Sequence, residues 1–246
     1  MQTLELRGVN KSFGSLQVLK DINLTIGKGE FAAIVGPSGC GKSTALRMFA
    51  GLEFPSEGEA LADGESITKP APNRMLIFQE HALYPWSTVE DNVGLGLELA
   101  GIGKAERRER INAVLEKVNL SGFNKYYPSQ LSGGMRQRVA IARALIMDPD
   151  VLLLDEPYGA LDAMTRLTMQ NELLRLWQGT GKTMLLITHD IDEALYLADK
   201  VYVMSARPGQ VVRTIDLAMP RPRNRNGEEF AAHRREIMNL LGLDEG

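Results

Sequence analysis

Apolar and polar residues recur with two different periods along this chain, and the switches between them mark its elements. Leu4-Glu5-Leu6-Arg7 and Asp21-Ile22-Asn23-Leu24-Thr25-Ile26 alternate, with turn signals at Phe13-Gly14 and Gly27-Lys28-Gly29, and predict an antiparallel β region. Phe31-Ala32-Ala33-Ile34-Val35 is apolar throughout and predicts a buried strand, whereas Thr44 to Ala50, free of Gly and Pro, predicts a helix. The stretch from Pro55 through Gly58 to Asp63-Gly64 reads as turns, and Arg74-Met75-Leu76-Ile77-Phe78 as another strand. From Thr88 to Leu145 the helical period dominates. Within it Ile111, Val114, Leu115 and Val118 recur at i, i+3, i+4, i+7 and predict a core face, leaving Arg107-Arg108-Glu109-Arg110 on the solvated one. Strand texture returns at Val151 to Asp155, Met184 to Thr188 and Val201 to Met204, separated by helices over Ala163 to Gln178 and Ile191 to Ala198. Pro220-Arg221-Pro222-Arg223-Asn224-Arg225 breaks the pattern and reads as a surface linker. A last helix is expected from Glu228 to Leu241, with Phe230, Arg234, Ile237 and Leu241 on one face.

Continuous apolar strands alternating with helices imply a parallel sheet covered on both faces, so the fold class is α/β. The expected organisation is a core begun over residues 1–87, an inserted helical subdomain over 88–147, a second part of the core over 148–219, and a linker with a C-terminal helix over 220–246. Composition narrows the setting. No apolar run reaches the 18 residues of a membrane span, and the N-terminus lacks signal-peptide order. Cys40 is the only cysteine, so no internal disulfide can form and a reducing cytosol is expected. A net charge of −3 argues against broad nucleic-acid binding. Any service to a membrane must then run through a partner.

The chemistry begins at Gly36-Pro37-Ser38-Gly39-Cys40-Gly41-Lys42-Ser43, which fits G-x-x-x-x-G-K-[ST] between a strand and the helix opening at Thr44. Glycines there let successive backbone N–H groups face one concavity at a helix N-terminus, a nest for phosphate. Lys42 would set a charge on the β- and γ-phosphates, and Ser43 a hydroxyl on Mg²⁺. A buried strand delivering Asp155 at its end suits a Mg²⁺ partner acting through water, and Glu156 could orient or deprotonate an attacking water. Ser132-Gly133-Gly134 opens another helix as an N-cap with exposed N–H groups, which by itself is only a capped helix. Phe13, taken alone, could simply be a core aromatic.

Gly36 to Ser43, Leu131-Ser132-Gly133-Gly134-Met135-Arg136-Gln137 and Leu152 to Glu156 together resemble the Walker A, signature and Walker B motifs of ATP-binding-cassette (ABC) ATPases. Gln79 resembles the Q-loop glutamine, Gly159-Ala160-Leu161-Asp162 the D-loop, His189 the switch histidine, and Phe13 the aromatic that stacks on adenine. The resemblance covers about residues 3–216. It implies a P-loop NTPase (RecA-like) core with an antiparallel β subdomain and an inserted α-helical subdomain. It also implies ATP and Mg²⁺ as cofactors, with Ser43, Gln79 and Asp155 at the metal, Glu156 as base or water positioner, and His189 on the γ-phosphate. Two cassettes would pair head to tail, so that Ser132, Gly133, Gly134 and Asp162 of one serve the phosphate loop of the other.

Finer strings, Phe78 to Trp86, Glu156 to Ala163 and Ser205 to Gln210 with the proline–arginine tail, resemble the nitrate/sulfonate/taurine importer group. Tyr158 stands where phenylalanine is commoner. That group implies an ATPase on the cytoplasmic face of the inner membrane, working with membrane permease subunits, a solute-binding protein and a second cassette. The transported solute would be small and mostly anionic, with no nucleic-acid partner. Glu80 to Trp86, rich in aromatics after Gln79, is expected to receive a helix of the permease. The competing possibilities are a soluble ABC regulator of a protein or nucleic-acid partner, and a small-molecule kinase, which leaves Leu131 to Gln137 unexplained.

Overall fold

Two sheets share the chain, and their covering explains the apolar pattern. The computed structural model describes residues 2–78, 82–159 and 161–243. The chain opens with an antiparallel hairpin, β1 (Leu4–Phe13) and β2 (Leu16–Ile26), before β3 (Phe31–Val35) enters the second sheet. Helix α1 (Lys42–Ala50) follows, and β4 (Glu57–Ala62) with β5 (Glu65–Ser66) returns to the first sheet, ordered β2-β1-β4-β5. Then come β6 (Arg74–Ile77), the helices α2 (Val89–Leu99), α3 (Lys104–Lys117) and α4 (Gly133–Leu145), and β7 (Val151–Asp155). The remainder alternates: α5 (Ala163–Trp177), β8 (Thr183–Thr188), α6 (Ile191–Leu197), β9 (Lys200–Met204), β10 (Val211–Asp216), and finally α7 (Glu228–Leu240).

The second sheet has the order β10-β9-β3-β8-β7-β6, parallel except for β10 at its edge. Its strands are apolar on both faces because both are covered. Ala32, Ile34, Val151, Leu153, Leu185 and Ile187 face α1 and the antiparallel sheet. Phe31, Ala33, Val35, Leu152, Leu154 and Leu186 face the core formed with the later helices. The α3 face foreseen from its period is buried at Ile111, Val114, Leu115 and Val118. Among the described residues no helix is long and apolar enough to cross a membrane.

The structure departs from the pattern in three places. The stretch read as turns contains β4, because Gly58 sits at φ +81° where a Cβ would lie 2.4 Å from the Gly8 carbonyl oxygen. That glycine marks a close approach of two backbones at a register shift between β1 and β4. The edge strand β10, mostly exposed, carries little apolar signal. The expected linker after β10 is instead partly interior. Arg223 is 5 % exposed and donates to the carbonyls of Leu195 and Ala198 at the end of α6. A guanidinium offers five N–H groups, and a helix C-terminus supplies the unpaired carbonyls that let it be buried.

Candidate functional site

The phosphate loop is shaped by what presses on it. A Cβ on Gly36 would lie 2.9 Å from the Met204 carbonyl oxygen, and one on Gly41, at φ +106°, would lie 2.4 Å from Leu19 Cδ2. Pro37, Ser38 and Gly39 are exposed, whereas Cys40 is buried in the core beneath, where desolvation raises its thiol pKa. The Lys42 ammonium folds back on the loop and donates to the carbonyls of Gly36 at 2.8 Å and Pro37 at 3.0 Å. Thr44 continues from the loop into α1. Sequence reasoning missed a buttress. Arg207 donates from Nη2 and Nε to the Gly39 carbonyl at 2.8 and 3.1 Å, and a Cβ on Gly209 would lie 2.1 Å from the Cys40 carbonyl oxygen. Only glycine fits there.

Parallel strands bring the next groups to the mouth of that loop. Asp155, at the end of β7, is 7 % exposed and accepts the Ser43 hydroxyl at 3.1 Å. Desolvation raises its carboxyl pKa, with the Ser43 bond opposing. A carboxylate and a hydroxyl this close are hard oxygen donors of the kind Mg²⁺ takes alongside waters and nucleotide phosphates, so the residues present fit that ion. Gln79, the further expected ligand, lies outside the described residues, as do Glu80, His81 and Ala160. Glu156 adopts φ +43°, a left-handed conformation uncommon for a non-glycine residue. Its N–H bonds the Ile187 carbonyl at 3.0 Å, and its Oε2 lies 2.9 Å from His189 Nδ1. The strained turn thus swings one carboxylate from the metal side toward the end of β8. His189 keeps most of its ring in solvent.

Other expected residues gather elsewhere. Ser132 caps α4, accepting the Met135 N–H at 3.3 Å, and Asp162 caps α5, accepting the Thr165 N–H at 3.0 Å. The bonds to Thr165 hold the Asp162 carboxyl below the usual range. Cβ atoms on Gly133 and Gly134 would lie 3.3 Å from Leu161 Cδ2 and 2.8 Å from Thr165 Cγ2, so the two caps form one surface. Among the described residues no hydrogen bond or ion pair joins Ser132–Gly134 to residues 36–44 of the same chain. Phe13, half exposed at the hairpin tip with the Lys11 ammonium 4.7 Å from its ring centre, is not a core aromatic. His233 lies on α7 near Glu236.

Behind His189 lies a polar network that no motif announced. Thr188 Oγ1 donates to the buried Glu193 carboxylate and accepts the Asp190 N–H at 3.0 Å. Arg166 reaches from α5 to Asp190 at 3.3 Å and to the Leu161 carbonyl at 3.2 Å. Burial pushes the Glu193 carboxyl up to about 7 from an ordinary 4.5. The folded chain therefore binds this proton more tightly than the unfolded one. The stability it contributes is full below about 4.5 and is lost as pH rises to about 7. Glu193→Gln should stabilise the protein by about 1–3 kcal/mol at pH 8 and by little at pH 4.5. Denaturant unfolding at the two pH values checks this, and parallel pH profiles for the two proteins would contradict it.

The ABC transporter family model matches residues 19–159. An uncharacterised ABC transporter ATP-binding protein of Methanocaldococcus jannaschii is 49 % identical over 92 % of this chain and 85 % of its own. The aliphatic sulfonates import ATP-binding protein SsuB of Bacillus cereus is 48 % identical over 96 % of this chain and 94 % of its own. A solved dimeric ABC transporter cassette superposes with a TM-score of 0.78 at 35 % identity, covering 87 % of this chain and 98 % of that one. A dimeric post-hydrolysis state of an ATP-binding cassette, bound to ADP and Pi, gives 0.76 at 35 % identity over the same shares.

Proposed function

This chain belongs to the ABC transporter family, and on that premise we propose that it is the ATP-hydrolysing subunit of an importer for a small sulfonate-type solute. The observation that carries the ATPase reading is the convergence of Lys42, Ser43, Asp155, Glu156 and His189 at one loop mouth. The importer reading is supported by the named sulfonate-import relative, matched over nearly its whole length.

In this reading the loop amides and Lys42 exchange their internal partners for the β- and γ-phosphates, and Phe13 offers an exposed ring to adenine. Ser43, Asp155 and Gln79 would hold Mg²⁺, which would supply neutralisation of phosphate charge. The Glu156 carboxylate accepts a proton from the attacking water as its oxygen bonds the γ-phosphorus and the bridge to the β-phosphate breaks. With Nδ1–H donating to the Glu156 carboxylate, His189 would donate to the γ-phosphate from Nε2–H as an imidazolium, both ring nitrogens carrying protons. Ser132, Gly133 and Gly134 of a second cassette complete the pocket, with Asp162 at the same junction. The 1–87, 88–147, 148–219 and 220–246 division serves as the working domain scheme. A permease in the membrane, with the cassettes on its cytoplasmic face, and a solute-binding protein outside it complete the system.

Tyr84 and the largely exposed Trp86, with ring centres 5.6 Å apart, form an apolar patch just after residues 79–81. Exposed aromatics of this kind mark interaction sites, and here the proposed occupant is the permease. Tyr84→Ala/Trp86→Ala should reduce solute uptake about tenfold while the detached cassette keeps its basal ATPase rate. Uptake and co-purification of the permease, compared with the unaltered protein, test this. Unchanged values for both would remove the assignment.

A further inference from the structure

The helix that follows His189 is too short to hold itself in place. α6 has seven residues, and isolated helices below about 12 residues are marginal in water. His189 sits between the end of β8, fixed in the sheet by the pairing of Thr188 with Val35, and the first turn of α6. Its own ring has one described hydrogen bond, to Glu156. Where the imidazole points therefore depends on how firmly α6 is seated, alongside the Glu156 bond and the Thr188–Glu193 network.

Arginines from the C-terminal segment seat it at both ends. At the C-terminus Arg223 donates to the carbonyls of Leu195, at 2.7 Å, and Ala198, while Arg221 donates to Leu197 at 2.6 Å and to the Asp199 carboxylate. These are carbonyls a helix end leaves unpaired, and a cation there also complements the helix dipole. At the first turn Arg234 of α7 makes a two-pronged pair with Asp192, Nε to Oδ1 at 2.5 Å and Nη2 to Oδ2 at 2.7 Å. The Arg225 guanidinium lies 4.0 Å over the Tyr196 ring in between. Four arginines spread over residues 221–234 thus converge on one seven-residue helix, more than burying an apolar face would need.

We propose that Arg221, Arg223 and Arg234 are positioning residues for ATP hydrolysis, clamping α6 so that His189 is aimed at the γ-phosphate. The inference rests on the reading of His189 given above. It makes the C-terminal segment part of the catalytic machinery's support, and a place where anything that lifts the segment slows turnover without touching the nucleotide. Displacing a catalytic group by a fraction of an ångström is enough for this.

The test uses the full chain at a temperature where circular dichroism shows each variant folded. Arg234→Ala replaces a partly exposed side chain and should fold; Arg221→Ala/Arg234→Ala loosens both ends of α6. The double variant should lose about tenfold in kcat with KM for ATP within about twofold of the parent. Arg234→Lys, which keeps a charge beside Asp192, should recover part of the loss shown by Arg234→Ala. In a His189→Ala background the same double change should lower the residual rate by less than about twofold, because residues acting through one group are not additive. A parent-like kcat in the arginine variants, with His189→Ala slowed to a small residual rate, would overturn the clamp alone. A full tenfold loss persisting without His189 would overturn it too. A parent-like rate for His189→Ala itself would remove the underlying reading, and the clamp with it.

Discussion

Glu156→Gln binds ATP as tightly as the parent, loses about two to three orders of magnitude in turnover, and accumulates as an ATP-bound dimer. The amide preserves the shape and the left-handed turn that aims this side chain, but it cannot accept a proton at neutral pH. Lys42, Ser43 and Asp155 are untouched, so nucleotide and metal affinity should persist. With hydrolysis blocked, the state that precedes it has no exit, and a dimer peak should appear in size-exclusion chromatography with ATP and not with ADP. A variant hydrolysing at the parent rate would show that the base lies elsewhere.

Ser132→Asp is expected to act almost as strongly from the opposite direction. Aspartate is as good an N-cap as serine, so α4 keeps its start and the fold is preserved. What changes is charge: a carboxylate would stand where the γ-phosphate bound to a second chain is proposed to dock. Turnover should fall by about a hundredfold, while ATP binding to the separate chain, measured by fluorescence titration, stays within about twofold. Turnover at the parent rate would place the glycine-rich end of α4 outside the reaction.

The two variants differ in how their sites could be read from sequence. Phosphate binding and Mg²⁺ chemistry demand particular residue types at fixed spacing, so Gly36 to Ser43 and Asp155-Glu156 announce themselves at the ends of β3 and β7, the two strands that flank β8. Ser132–Gly134 reads as an ordinary cap until the neighbouring string supplies the resemblance. The α/β alternation was legible because both faces of the parallel sheet are covered, which leaves its strands uniformly apolar. Contacts between distant residues were not legible. The bond from Arg207 to the Gly39 carbonyl spans 168 positions. Arg223 reads as exposed because charged, proline-flanked residues usually are, and its burial depends on carbonyls freed at the end of another helix. Glu193 looks like one more acid on a helix until Thr188 and the packing around it take it from water. Gly58 read as a turn for the same reason, since nothing local shows which backbone approaches it.

In the proposed dimer each ATP site is assembled from two chains, the loop at Gly36–Ser43 from one and Ser132–Gly134 from the other. Mixing two inactive proteins tests it most directly. Lys42→Met lacks a working loop but keeps its α4 N-terminus, and Ser132→Asp has the reverse defect. A mixed two-fold pair holds one site with both halves intact. With random pairing an equimolar mixture should therefore regain about a quarter of the parent rate, far above either protein alone. A mixture no more active than the sum of its parts would show that the two halves do not meet across chains.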